Sequence, residues 1–500
     1  MLLVVFLCLA FVGSPSYAGS LIKKGEEGQP GTWYIGDTPP GGGTDLPVLL
    51  FVHGLNSSAK TWYEDNDMYQ IAYNNGYQTA FIDLYGTRNM WDNGSLLAEK
   101  IEEIYQYFGR KLVLVTHSKG GIDTQSALVH YNAHPYVSNV ITLGSPHKGS
   151  QLADLAYSSW ASWLSDILGQ KSDATYSLQT GYMSYFRSVT DEHANVNKNK
   201  YYTFAGKDWG SFGSSLYWGG LYLSSYGSND GAVVVSHAYL PNGTMVRVDS
   251  SWNHSSIKSG SETFQWFQPY LTLNQTSSAQ SFVSASLTGG AETESDMVVR
   301  GGEYVLGAAT ETFSVEKDVD RLSIDWMSAE PVNQIEVIDA QNKKQIVQVK
   351  SFRDNQFFKG AWHNVIQLNN PKPGKWTIHS TSAKENAFLL TVNYETKKQE
   401  KVKLKKSNHK DKWKVEVPSK NVKKNKLKMK VNVEALSETK PAQKIARKEL
   451  KATDEIHLPE IQGEGIYNVT IDLEGEDVSG QPYERTIIKS IYVDKNGNHY

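Results

Sequence analysis

The sequence predicts an α/β protein in which a mostly parallel sheet with helices on both faces is followed by two antiparallel β-sandwich-like segments. Three observations point to it. From Leu46 to Tyr270, short apolar runs alternate with helical stretches, the pattern of strands covered on both faces by crossover helices. Beyond about residue 303 the runs become short and alternating, as in Leu322-Ser323-Ile324-Asp325-Trp326 and Lys375-Trp376-Thr377-Ile378, with Pro371 to Gly374 as a turn. From Lys397 to Lys451 the chain holds 20 Lys/Arg against 6 Asp/Glu, a balance unlike the whole chain with its formal net charge of -3.

Five hundred residues exceed what one core usually organises, so several domains are expected. Residues 1–18 read as a secretory leader: Leu2 to Gly13 is apolar, and Ser16-Tyr17-Ala18 puts small residues where a signal peptidase reads. The run is short for a membrane span. The expected division is 1–18 leader, 19–273 catalytic α/β domain, 274–302 linker, 303–396 β-sandwich and 397–500 lysine-rich β-sandwich-like domain. Cys8, the only cysteine, lies in the leader, so a secreted product holds together by core burial rather than disulfides. Sequons start at Asn56 and Asn253, both beside candidate site residues, which favours a source that does not glycosylate them. The composition carries no whole-chain signature of nucleic-acid or membrane binding.

Strands are expected at Pro47–Val52, Thr79–Asp83, Leu112–Thr116, Val137–Leu143, Tyr201–Ala205 and Thr244–Val248. The first four end in polar or turn-forming residues, where open α/β sheets place their chemistry. The stretch Leu112-Val113-Leu114-Val115-Thr116-His117-Ser118-Lys119-Gly120-Gly121 is a buried strand, an abrupt turn and a helix start. That is the setting of a nucleophile elbow, which lifts a serine Oγ above the sheet. A lone Ser-x-Gly occurs widely; here strand, turn and helix fall in order, which favours Ser118 as nucleophile over a helix cap. Thr116 stands where glycine is usual.

Upstream, Phe51-Val52-His53-Gly54-Leu55-Asn56 ends a strand in a His-Gly loop. The amides of Leu55 and Lys119 are the candidate oxyanion donors, and the Lys119 side chain is not required for that role. The order serine, acid, histidine requires both partners after Ser118. His254 is the candidate base and His237 its rival. Asp230 and Asp208 are close to even as the acid on residue grounds alone.

The ordered motifs Phe51-Val52-His53-Gly54, Thr116 to Gly121, Leu143-Gly144-Ser145-Pro146-His147-Lys148-Gly149-Ser150, Asn229-Asp230-Gly231 and Asn253-His254 resemble the bacterial secreted lipases of the α/β-hydrolase superfamily. They cover roughly residues 46–271. The resemblance implies Asp230 as the triad acid, no catalytic role for His147, and an ester or lipid substrate cleaved through an acyl-enzyme; that mechanism implies no cofactor, and although some relatives bind a structural calcium ion, no oxygen-ligand cluster of EF-hand spacing marks one in this sequence. A short-chain esterase or polyester depolymerase uses the same triad. A surface-binding protein with a vestigial hydrolase domain is the rival from another class.

Leu152, Leu155, Trp160, Trp163, Leu164, Ile167 and Leu168 follow a roughly helical apolar spacing, expected as either a core helix or a lid. The lysine-rich segment is expected as a solvated strand face that discourages edge association, with an anionic cell-wall or membrane surface as the alternative partner. The β-rich half is expected to be separable and to contribute nothing to bond cleavage.

Overall fold

The computed structural model describes residues 21–40, 45–169, 171–273, 293–346, 349–396, 401–407, 412–417, 422–436, 443–451, 456–457 and 463–500. The expected leader with Cys8, and residues 274–292 of the expected linker, lie outside them.

Among the described residues, the N-terminal half is built on an eight-stranded sheet. In chain order its strands are β1 (Ile22–Lys24), β2 (Trp33–Ile35), β3 (Val48–Val52), β4 (Thr79–Ile82), β5 (Leu112–His117), β6 (Val137–Leu143), β7 (Lys200–Gly206) and β8 (Gly243–Asp249). Their spatial order is β1-β2-β4-β3-β5-β6-β7-β8. From β4 to β8 all pairs are parallel, and β1 and β2 add an antiparallel edge. The six expected strands are present within a residue or so at each end. The three-residue strands β1 and β2 are too short to leave a period and were not expected.

Alternation along the strands divides the core. Val48, Leu50, Val52, Leu112 and Leu114 face α2 (Met90–Phe108) and α3 (Lys119–Val129), while Leu49, Phe51, Val113 and Val115 face the opposite layer with α1 (Met68–Asn74), Trp62, Phe264 and Phe267. Helix α2 starts where Asn89 accepts the Trp91 and Asp92 amides and stops at Gly109, whose φ is 66°.

Among the described residues, the β-rich half holds four antiparallel sheets. The expected linker ends early, because Met297–Glu303 pairs with Ala387–Thr396 in the second module and Thr293–Ser295 pairs with Val402–Lys406 in the third. In the third module the edge strand Gln443–Lys451 is largely exposed, and Lys428 and Lys430 pair with Glu449 and Glu474.

In the intact chain the two halves pack together. One apolar core runs across both halves, joining Leu152, Leu155, Leu164, Phe186 and Trp218 to Met297, Val299, Met327, Phe358, Ile466 and Ile488. Polar contacts reinforce it: buried Asp154 accepts Ser490 Oγ at 2.6 Å, and Trp160 Nε1 donates to Asp472 at 3.2 Å. The expected lid or core stretch forms α4 (Gln151–Ala156) and α5 (Ser162–Ile167). Helix α4 is wholly buried, and α5 packs against strands of the second module while leaving Trp163 and Ile167 exposed.

Candidate active site

Ser118 sits between β5 and α3 with φ 54° and ψ -131°, a conformation costly for a side-chain-bearing residue. Its amide donates to the Leu143 carbonyl at 3.0 Å, which helps to hold the turn. Close approach explains the glycine two residues later: a Cβ on Gly120 would lie 2.4 Å from the His53 carbonyl oxygen. Thr116 is accommodated by donating its hydroxyl to the Ile141 carbonyl at 3.0 Å.

Ser118, His254 and Asp230 come together. His254 Nε2 is 3.0 Å from Ser118 Oγ, and His254 Nδ1 is 2.9 Å from Asp230 Oδ2. A carboxylate there calls for a proton on Nδ1, which leaves Nε2 to accept from the serine hydroxyl. Asp230 is fixed in turn: its Oδ1 accepts the Ala232 and Val233 amides at 2.9 and 2.8 Å, and its carbonyl accepts the His254 amide at 2.8 Å. Such a chain can move a proton off Ser118 and stabilise the resulting imidazolium.

The rivals are engaged elsewhere. Asp208 Oδ2 accepts from Asn253 Nδ2 at 3.4 Å, one residue short of the imidazole. His237 Nδ1 donates to the Gly149 carbonyl at 2.7 Å, and burial pushes its pKa down to about 4. His147 is buried 3.3 Å from Thr142 Oγ1.

The loop after β3 closes on the serine, since a Cβ on Gly54 would stand 2.7 Å from Ser118 Cβ. Leu55 and Ser118 therefore line the same pocket, with Lys119 starting α3 beside them. His53 anchors the loop: its Nε2 accepts the Leu84 amide at 2.9 Å, so its proton lies on Nδ1, which donates to the Gly54 carbonyl at 2.8 Å.

Sequence reasoning missed three features. His117 Nε2 donates to the His254 carbonyl at 2.7 Å; burial, then the neighbouring His254, holds this imidazole well below its ordinary range. Lys119 and Asp123 form a buried ion pair whose i, i+4 spacing was visible in the sequence. The segment Asn355 to Lys359 enters the cleft from the second module, and no local pattern announces that.

Two sides of the cleft differ in chemistry. One is apolar, lined by Leu55, Pro146, Leu152, Ala153, Leu178 and Val233 together with Phe357 and Phe358. The other is more polar, with Asn56, Thr61, Ser255 and Lys258 beside Asn355, Gln356 and Lys359. Among the described residues, no group of His, Cys, Asp or Glu side chains converges to hold a metal ion.

The fold is similar to those of known proteins. A family model described as a PGAP1-like alpha/beta domain matches residues 43–173. The chain is similar to a Bacillus licheniformis lipase, BlEst2, in propeptide form, with 39% identity over 95% of this chain and 100% of that one at a TM-score of 0.81. The mature form of that lipase matches 49% of this chain and 100% of its own at 56% identity and a TM-score of 0.47. No curated protein gives a significant match.

Proposed function

Because the chain belongs to the family of α/β-hydrolases that includes the Bacillus licheniformis lipase BlEst2, we propose that it is a secreted carboxylic ester hydrolase acting on acylglycerols. The hydrogen-bonded chain Ser118–His254–Asp230 is the observation that carries the reading. His254 takes the Ser118 proton as Oγ attacks the ester carbonyl, and Asp230 stabilises the imidazolium. The Leu55 and Lys119 amides hold the oxyanion. Collapse of the tetrahedral intermediate breaks the ester bond, and His254 returns the proton to the leaving alkoxide. An acyl-Ser118 remains, and water releases it as the acid.

The apolar side of the cleft supports an acyl chain as the group bound there. The leader at residues 1–18 supports export. The β-rich half is read as a pro-region, because the lipase that matches along nearly the whole chain is a propeptide form. The ion pairs of the lysine-rich module favour its charged face as a solvated surface over an anionic partner.

Fatty-acid release from emulsified triglyceride, measured beside turnover of p-nitrophenyl esters of increasing chain length, tests the substrate class. Release from the emulsion is expected. Turnover confined to the shortest soluble esters would reassign the protein as a short-chain esterase.

A further inference from the structure

Lys258 follows the triad histidine closely, in the single turn Ser256–Lys258. The loop that carries both is held firmly. Asn253 Oδ1 accepts the Ser255 and Ser256 amides at 2.9 Å each, and the Asn253 carbonyl accepts the Ile257 amide at 3.0 Å. A second segment, Ala59–Trp62, is tied to this loop through Asn66, whose Nδ2 donates to the Thr61 carbonyl at 2.9 Å and to the Lys258 carbonyl at 3.2 Å. The two side chains meet as well, because Lys258 Nζ donates to Thr61 Oγ1 at 2.6 Å.

An ammonium carries three N–H donors, and Thr61 accepts one of them. Among the described residues no carboxylate pairs with Lys258, and burial, unopposed by a neighbouring charge, pulls its pKa below the ordinary lysine value. A half-buried cation without a counterion is a cost to the fold, which an anion arriving from outside offsets. The surroundings are of one sign. The polar side of the cleft holds Lys258 and Lys359 and, among the described residues, no Asp or Glu. Ser118 and His254 border both sides, so an ester at Ser118 with its acyl chain among Leu152, Leu178 and Val233 directs its alcohol part towards Lys258. The Lys258 charge also reaches the edge of the triad: after burial and His254, it helps to hold the His117 imidazole well below its ordinary range.

We infer that Lys258, oriented by Thr61, is a specificity-determining residue that binds an anionic group on the alcohol part of the ester, so that acylglycerols carrying a phosphate on the glycerol are preferred over neutral ones. The inference rests on the ester-hydrolase reading and adds which end of the substrate is charged. It gives a task to a lysine that is placed beside the catalytic histidine, fixed at its backbone and its head, and left without an acidic partner.

The test compares kcat/KM of the full chain on a monoacylglycerol and on the acylglycerol phosphate with the same short acyl chain, both monomeric in solution. Wild type is expected to favour the phosphate by at least about tenfold, the scale of one charge-assisted hydrogen bond at a partly buried site. Lys258→Met should lower that ratio about tenfold, and Lys258→Arg, which keeps the charge, should retain most of it. Reading the ratio cancels any loss common to both esters. Equal turnover, or preference for the neutral ester, in the wild type overturns the subsite without any variant. A preference that persists in folded Lys258→Met overturns the assignment to Lys258. Turnover of neither ester by the folded chain overturns the hydrolase reading itself, and the subsite falls with it, so the two failures are distinct.

Discussion

Lys119 Nζ stands 2.6 Å from Asp123 Oδ1, both side chains buried, one residue past the serine of the elbow. The pair reaches further than its own helix. Asn93 Nδ2 donates to Asp123 Oδ2 at 2.9 Å, Asn93 Oδ1 accepts the Tyr85 amide at 3.0 Å, and the neighbouring Gly86 carbonyl accepts the Asn56 amide at 2.9 Å. A run of hydrogen bonds, buried at Asp123 and Asn93 and reaching the surface at Tyr85 and Asn56, thus ties the helix bearing the Lys119 amide to the loop bearing the Leu55 amide.

Breaking that pair on one side leaves an uncompensated charge. Lys119→Met should lower unfolding free energy by about 3–5 kcal/mol, read by denaturant titration. Replacing both, Lys119→Met with Asp123→Leu, should recover most of that loss while still lowering kcat with little change in KM, since the oxyanion amides lose their common anchor. A double variant with full kcat would show that the pair supports the fold alone.

The two candidate acids separate cleanly. Asp230→Asn should lower kcat by about 10⁴, because an amide presents the wrong partner to His254 Nδ1. Asp208→Asn should cost far less, as its carboxylate reaches only Asn253 and the Gly210 amide. Steady-state kinetics on a soluble ester, run on both variants in one background, checks the ranking.

Alkaline pH should loosen the loop between the strands Lys350–Arg353 and Trp362–Asn369, whose Asp354 Oδ2 lies 3.0 Å from the buried His363 Nε2. Burial opposes charge on His363, but the Asp325 and Asp354 carboxylates outweigh it and push its pKa up to about 9 from an ordinary 6.5. A raised folded-state value means that the stabilisation is complete below about 6.5 and is lost as pH rises through about 9. The charged groups facing the ring are Asp325, from the strand Val319–Ser328, and Asp354; Trp218 and Phe352 contribute only uncharged rings. Protection of the Gln356, Phe357 and Phe358 amides, which donate to the Asp354 carboxylate, should therefore drop between about pH 8 and pH 10 once the intrinsic base catalysis of hydrogen exchange is divided out. Unchanged protection across that range contradicts the raised value.

The hydrolase half was legible because its signals are local. Leu112 to Val129 carries strand, turn and helix in one stretch, and chain order then leads from Ser118 to His254. Choosing Asp230 over Asp208 needed more, since the answer depends on which loop returns to the imidazole, and Asp208 misses it by one residue. The ester chemistry calls only on the Lys119 amide, so nothing in the motif points to its side chain, although Asp123 one turn later marks a partner. Asn355 to Lys359 and the His363 triad left no trace, because their roles arise where modules distant in sequence pack through one apolar core.

The most direct measurement of the central assignment is the mass and position of the adduct after exhaustive treatment of the folded chain with an active-site-directed phosphonate. One adduct per chain on the peptide containing Ser118, absent from Ser118→Ala and accompanied there by a fall in kcat on the order of 10⁶, is the expected result. Modification at another residue, or near-normal ester turnover by Ser118→Ala, would contradict it.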